Sequence, residues 1–382
     1  MTSKEREKIY ACWLDSVSFL SSASKYKLLE TVKSTEDIYH MPENDILFLI
    51  GIKGSERIKK KKKAQDPESV YETLQKSQIN YTFCNADDFP ARLLQIPDPP
   101  FGLFYRGGLP DNTTPAVAVI GARKCSEYGH CMAKELAQGL GKRGVNIISG
   151  MALGIDGISQ RVALEVGARS YGVLGCGVDI IYPKSNRPLY EKLISCGGVL
   201  SEYPTGTEPK PMLFPPRNRI ISALSDVVLV VEAREKSGTL ITVDMALEQG
   251  REVCVVPGRC TDHLSRGCNL LLRQGASAVL CAEDIINDMG WDKLLTNPRD
   301  EKMEGVSSYI NIKDLTPLSK AICNLLDIIP VTQDTIIMLL REQGFTESVA
   351  GVCKELVNLE LNGMIERAGG QYKLRDGVAL KR

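Results

Sequence analysis

Short apolar runs, each closed by Gly, Pro or a polar turn, recur through the middle of the chain: Ala116–Ile120, Val145–Ile148, Ser170–Leu174, Gly198–Ser201, Val227–Val231, Glu252–Val256 and Ala278–Cys281. Helix-compatible stretches separate most of them. In the first such stretch Met132, Leu136 and Leu140 lie four apart, an apolar stripe suited to packing on a sheet. Strands apolar on both faces that alternate with helices predict an α/β fold with a mostly parallel sheet. Ahead of them, Phe89–Gly108 holds a Pro-rich loop and one more short apolar strand, Leu103–Tyr105.

The two ends have a different texture. Trp13, Leu14, Val17 and Leu20 fall at helical spacing, and Lys27–Val32 and Ile46–Ile52 add short apolar stripes. Ser34 ahead of Thr35-Glu36-Asp37 reads as an N-cap with acids in the first turn. The basic run Lys59–Lys63 reads as a solvated helix face in preference to a nucleic-acid contact. Beyond the strand-rich region, Trp291–Asp314 is charged and weakly periodic, as a linker is. Leu318–Leu326, Thr332–Leu340 and Ser348–Asn362 then read as helices, and Met364–Leu374 as a hairpin turning at Gly369-Gly370. The expected organisation is a small helical domain of SAM or helix-hairpin-helix type over 1–78, the α/β domain over 79–290, a linker over 291–316 and a winged-helix-like module over 317–382.

Composition narrows the function. The 382 residues are 43% hydrophobic and carry 47 basic against 47 acidic side chains, so bulk charge does not draw a polyanion and any nucleic-acid site must be a local patch. Twelve cysteines occur without one C-x-x-C, which removes the paired spacing of a zinc site and fits reduced thiols in a cytosol. Neither a signal peptide nor a membrane-spanning apolar stretch is legible, so a cytoplasmic protein without a membrane partner is expected.

Gly139-Leu140-Gly141-Lys142-Arg143-Gly144 matches G-x-G-x-x-G letter for letter, yet it follows a helix and precedes a strand, the reverse of a dinucleotide fingerprint. The informative glycines follow strands: Gly121-Ala122-Arg123, Ser149-Gly150 with Gly154, Gly175-Cys176-Gly177, and Ser237-Gly238 after Glu232-Ala233-Arg234-Glu235-Lys236. Ligands of open parallel sheets bind beyond the carboxyl ends of the strands, where bare amides and helix N-termini suit an anion. Cations crowd the same loops: Arg123, Lys124, Lys184, Lys210, Arg217, Arg219, Arg234, Lys236 and Arg251, with Phe214-Pro215-Pro216-Arg217-Asn218-Arg219 the densest segment. Tyr128, Tyr182, Tyr203 and Phe214 lie among them, and interleaved cations and rings suit a single strand with stackable bases. His40, His130 and His263 stand in unrelated places, and Asp156 and Asp179 read as loop or cap residues. Neither H-E-x-x-H, G-x-S-x-G nor a Walker A lysine occurs, and neither metal nor cofactor is implied.

The motifs together resemble the bacterial DNA-processing protein A family (DprA, also called Smf). They are Val119–Arg123 with Ser126 and Tyr128-Gly129; Ser149-Gly150 with Gly154-Ile155-Asp156; Leu174–Asp179 with Tyr182-Pro183; Ser201–Pro204; Phe214-Pro215 with Arg217–Ile221; Val231–Ala233 with Ser237–Thr242; Gln249–Val253; Pro257-Gly258; and Gly267–Asn269. The resemblance spans roughly residues 89–283. It implies an extended Rossmann-like domain that binds single-stranded DNA, forms a homodimer and delivers the recombinase RecA to that strand during uptake and recombination, without catalytic turnover. By match to the family's strand-binding motifs, Gly121, Ala122, Arg123, Phe214, Arg217, Asn218 and Arg219 are expected at the DNA. Charge and position add Lys184, Lys210 and Lys236, and the loop amides add Ser237 and Gly238. Leu153 and Ile158-Ser159 depart from the family's Arg and Ala-His, which places the strand-gripping role on the other loops. A rival reading is a phosphoribohydrolase acting on nucleoside monophosphates, whose Gly-rich loop Ser237-Gly238-Thr239 resembles. Thr242 holds the position of its catalytic Glu, and a hydroxyl does not serve as that general base. In the C-terminal module Glu347, Glu355 and Glu360 around the third helix favour a protein partner over duplex DNA.

Overall fold

The computed structural model describes residues 2–17, 19–294, 310–311, 315–326, 330–368, 370–375 and 380–381. The chain divides into two compact units, Met1–Asn297 and Pro298–Arg382. At the centre of the first lies a nine-stranded sheet whose strands are β1 (Asn80–Phe83), β2 (Gly102–Gly107), β3 (Ala116–Ile120), β4 (Asn146–Ser149), β5 (Ser170–Val173), β6 (Gly197–Ser201), β7 (Val227–Val230), β8 (Glu252–Val255) and β9 (Ser277–Ala278). Their order is β1-β2-β6-β5-β4-β3-β7-β8-β9. Pairing is parallel from β6 through β9, and antiparallel only where β2 meets β6 and β1.

Seven of the eight apolar runs expected to be strands coincide with strands of this sheet to within two residues; of Ala278–Cys281 only Ala278 is in a strand, and Cys281 caps the helix that follows. Their double-sided hydrophobicity has a direct cause. In β3, Ala116, Ala118 and Ile120 face one core with Ile220, Ile221, Val243 and Leu271, while Val117 and Val119 face the opposite core with Met132, Leu136 and Leu140. Helices Phe214–Ala223, Gly238–Glu248 and Arg266–Arg273 therefore cover one face, and Glu127–Lys142, Ile155–Glu165 and Ala282–Asp288 the other. The Gly139–Gly144 stretch closes helix Glu127–Lys142, with Gly144 at φ 84°, so it is a helix end and turn. β1 is not among the expected strands: its burial comes from a core shared with Trp13, Leu28 and Ile38 of the preceding helices, which the local pattern does not reveal.

Those helices are Ser3–Asp15, Ser22–Val32, Thr35–His40, Glu43–Ala64 and Pro67–Lys76. Ser34 caps the third, accepting from Asp37 N at 3.3 Å, and a Thr2–Glu5 capping box opens the first. Trp13, Leu14, Leu28 and Ile38 share one core with Tyr81, Phe83, Phe101 and Phe104 of the sheet edge, so the helices are packed onto the sheet. Within that junction Lys25 Nζ lies 2.5 Å from Asp15 Oδ1, both side chains buried. Of the basic run, Lys59 pairs with Glu43 at 2.7 Å and Lys62 lies over the Tyr39 ring at 5.4 Å, so part of it is used within the module.

The second unit contains helices Pro317–Leu325, Gln333–Glu342 and Val349–Leu361 beside an antiparallel sheet of Val331–Thr332, Gln371–Leu374 and Ile365–Ala368. Ile322, Ile336, Leu340, Leu356 and Tyr372 form its core. Gly369 of the expected hairpin turn, and residues 295–309 and 312–314 of the expected linker, lie outside the described residues.

Removing one member of a buried ion pair strands the other charge. Lys25→Met should lower unfolding free energy by about 3–5 kcal/mol, read as a shift of the urea midpoint at unchanged slope, whereas exposed Lys60→Met should leave it within about 0.5 kcal/mol.

Candidate nucleic-acid interface

The strand order reverses beside β3: β4, β5 and β6 lie to one side, β7, β8 and β9 to the other. The helix that follows β3 packs on one face and the helix that follows β7 on the opposite face, which leaves a crevice beyond their carboxyl ends. A cavity of about 660 Å³ occupies it.

One wall is the loop after β3. Gly121 packs so closely that a Cβ there would come 2.7 Å from Ile155 Cγ1. Ala122 O accepts from Ile155 N at 3.3 Å, and Ser126 caps helix Glu127–Lys142 through Gly129 N at 3.1 Å. Between these anchors Arg123 and Lys124 project into solvent. The facing wall follows β7: Ala233 and Arg234 lead to Ser237 and to the N-terminus of helix Gly238–Glu248, where the space around Gly238 is open. Among the described residues the buried Ser237 Oγ makes no hydrogen bond, and neither Arg123, Lys124 nor Arg234 enters an ion pair.

The floor is the start of helix Phe214–Ala223. The Phe214 ring has Arg123 Cζ 5.8 Å from its centroid, Arg217 Cζ also at 5.8 Å, and the half-exposed Tyr182 ring at 5.5 Å with 36° between planes. Gly175 makes room for it, since a Cβ there would meet Phe214 Cδ1 at 2.6 Å. Arg217 is buried. Its Nη1 donates to Gly150 O at 3.1 Å and to Val173 O, which ties together the ends of β4 and β5, and its Nε donates to Asn218 Oδ1 at 3.2 Å. Asp156 Oδ2 accepts from Gly150 N at 3.0 Å beneath the same guanidinium. Burial pushes the Asp156 carboxyl up, with Arg217 opposing, and burial pulls Arg217 down to about 10.

Of the residues expected at the DNA, Gly121, Ala122, Arg123, Phe214, Arg217, Asn218, Ser237 and Gly238 line this one cavity. Lys184, Lys210 and Lys236 are exposed and lie outside its lining. Arg219 is also outside it, in a two-pronged ion pair with Glu202 at 2.8 and 2.6 Å and bonded to Asp98 O at 2.8 Å. Arg217 and Arg219 thus spend their forks on carbonyls and carboxylates of the protein, and the outward cations are Arg123, Lys124 and Arg234. Asp156 holds a loop, as the sequence suggested. The cavity also takes in Ile241, Leu264 and the buried hydroxyl residue Thr242, which helical periodicity alone does not point toward a ligand. None of the histidines lines it, and no cluster able to hold a metal ion occurs among the described residues.

Residues 80–290 match the family model described as DNA recombination-mediator protein A. The DNA processing protein DprA of Streptococcus pneumoniae is 42% identical over 200 residues, 52% of this chain and 71% of that protein. An X-ray structure of DprA from Streptococcus pneumoniae superposes with a TM-score of 0.64 at 33% identity, covering 72% of this chain and 95% of that one. A structure of DNA processing protein A from Helicobacter pylori, described for its unique single-stranded DNA binding mode, matches with a TM-score of 0.50 at 32% identity over 56% of this chain and 97% of that one.

Arg217→Met should cost about 3–5 kcal/mol at neutral pH by leaving Asp156 and two carbonyls without their partner. The loss should shrink as pH falls below about 4, where the Asp156 carboxyl is neutral in folded and unfolded chains alike, and grow as pH rises and only the unfolded chain ionises it freely. Urea midpoints measured for both proteins between pH 3.5 and 7 check the sign.

Proposed function

The chain belongs to the DNA recombination-mediator protein A family, and from that membership we propose that its switch-point cavity holds single-stranded DNA. One observation carries the reading: Arg123, Lys124 and Arg234, exposed and free of ion pairs among the described residues, line one cavity with the Phe214–Tyr182 ring pair. Outward cations meet successive phosphates. The rings offer faces to unpaired bases, and the Gly238 helix N-terminus adds bare amides. A duplex keeps its base faces stacked inside and gains nothing from the rings, so the arrangement favours the unpaired strand.

In this reading Arg217 and Asn218 set the floor, while Lys184, Lys210, Lys236 and Arg219 sit outside the first grip. The protein keeps the bound strand intact and passes it to the recombinase RecA as a mediator, working as a homodimer; the family's description as a recombination mediator supports this step. Binding without turnover is supported by Thr242, a cavity-lining residue that stands in sequence where the resembling Gly-rich loop of phosphoribohydrolases carries its catalytic Glu. For the C-terminal module the exposed acid Glu347 and the half-exposed Glu355 and Glu360 support a protein partner.

Contact with about four to six phosphates gives log K against log salt a slope of roughly −3 to −4 for single strands. Arg123→Ala should weaken binding about 10- to 100-fold at low salt and flatten that slope by about 0.7. Fluorescence anisotropy with a long oligonucleotide measures both. Absence of binding at low salt, or equal affinity for duplex, would sink the proposal.

A further inference from the structure

Glu232, at the end of β7, is 2% exposed and has no cationic partner among the described residues. An unpaired buried carboxylate is expensive, so a fold that keeps one next to Ala233 and Arg234 of the cavity wall gains something else by it. Its two oxygens are both engaged, and both by one residue. Ser126 N donates to Oε2 at 2.9 Å, and the Ser126 hydroxyl donates to Oε1. Ser126 closes the loop that bears Arg123 and Lys124 and caps the helix behind it. Glu232 therefore joins the segment after β7 to the end of the loop after β3. Gly129 gives it the room, because any side chain there would press on the Glu232 carboxylate and its Cγ, which lies 2.9 Å from the Cβ position.

We propose that Glu232 is the positioning residue of the strand site: through Ser126 it fixes the Arg123 loop at the distance from Phe214 and Gly238 that a bound strand requires. It touches no phosphate itself. The inference rests on the strand-binding reading and makes a demand that simple electrostatics contradicts. Removing a negative charge beside a polyanion site should tighten binding, whereas releasing the Arg123 loop should weaken it.

The test is a double-mutant cycle on the full chain, with Glu232→Ala and Arg123→Ala alone and combined, read as single-stranded DNA affinity by anisotropy. Glu232→Ala should weaken binding about tenfold in the native background and less than twofold once Arg123 is gone, because it acts through that side chain. Glu232→Gln, which keeps size and one acceptor, should fall between, and it carries the test should the alanine variant fold poorly. Unchanged or tighter binding overturns the proposal, as does an equal loss in the Arg123→Ala background, the mark of a general structural defect. Amide hydrogen exchange without DNA gives a separate reading: amides of residues 122–126 should exchange at least tenfold faster in Glu232→Gln, with β5 unchanged. Unaltered loop protection overturns the positioning role. If the native protein binds no strand, the strand-binding reading falls, and the exchange result alone decides what Glu232 does.

Discussion

A parallel sheet whose order reverses beside one strand has a gap that its own crossovers cannot cover. Right-handed connections send the helix after β3 to one face and the helix after β7 to the other. The carboxyl ends of the two strands open between them, and the loops after β3 and β7 line the cavity there. The helices on either face are held by ordinary apolar burial, but the loops are held by polar groups, since backbone leaving a strand end must find partners that the ladder no longer supplies. Gly150, Val173 and Ser126 find theirs in Arg217, Asp156 and Glu232, buried side chains that belong to other segments.

This division explains why the dense arginine segment does not turn its charges outward. Arg217 and Arg219 follow two prolines at a helix start, and that position aims them into the protein. A guanidinium is weakly hydrated and forked, so it can be buried where carbonyls or a carboxylate receive its protons. Arg123, Lys124 and Arg234 lie on loop crests instead, with no acceptor near enough to claim them among the described residues. Arg217 braces the strand ends under the Phe214 ring and Arg219 is tied to Glu202, while Arg123, Lys124 and Arg234 keep their charges toward solvent.

The sheet was legible because burial on both faces writes itself as unbroken apolar runs, Ala116–Ile120 and Val227–Val231 most plainly. β1 was not, because Tyr81 and Phe83 owe their burial to helices more than forty positions earlier in part, such as Ser3–Asp15 and Ser22–Val32, and local pattern carries no record of that. At the cavity, Gly121, Arg123 and Phe214 could be read from strand-end glycines and family motifs. The orientation of Arg217 and Arg219 could not, because it is decided by acceptors at positions 98, 150, 173 and 202, distant in the chain. Lys184, Lys210 and Lys236 are exposed beyond the cavity lining, a placement that closeness in sequence to a loop does not fix for a flexible side chain.

The sheet's outer borders carry a consequence of their own. At one border the helical module is packed against β1, and at the other β9 has only the two residues Ser277–Ala278. Little unsatisfied main chain is left on which a neighbouring polypeptide could add itself as a tenth strand. Strand addition at either border of this sheet would therefore gain few main-chain hydrogen bonds.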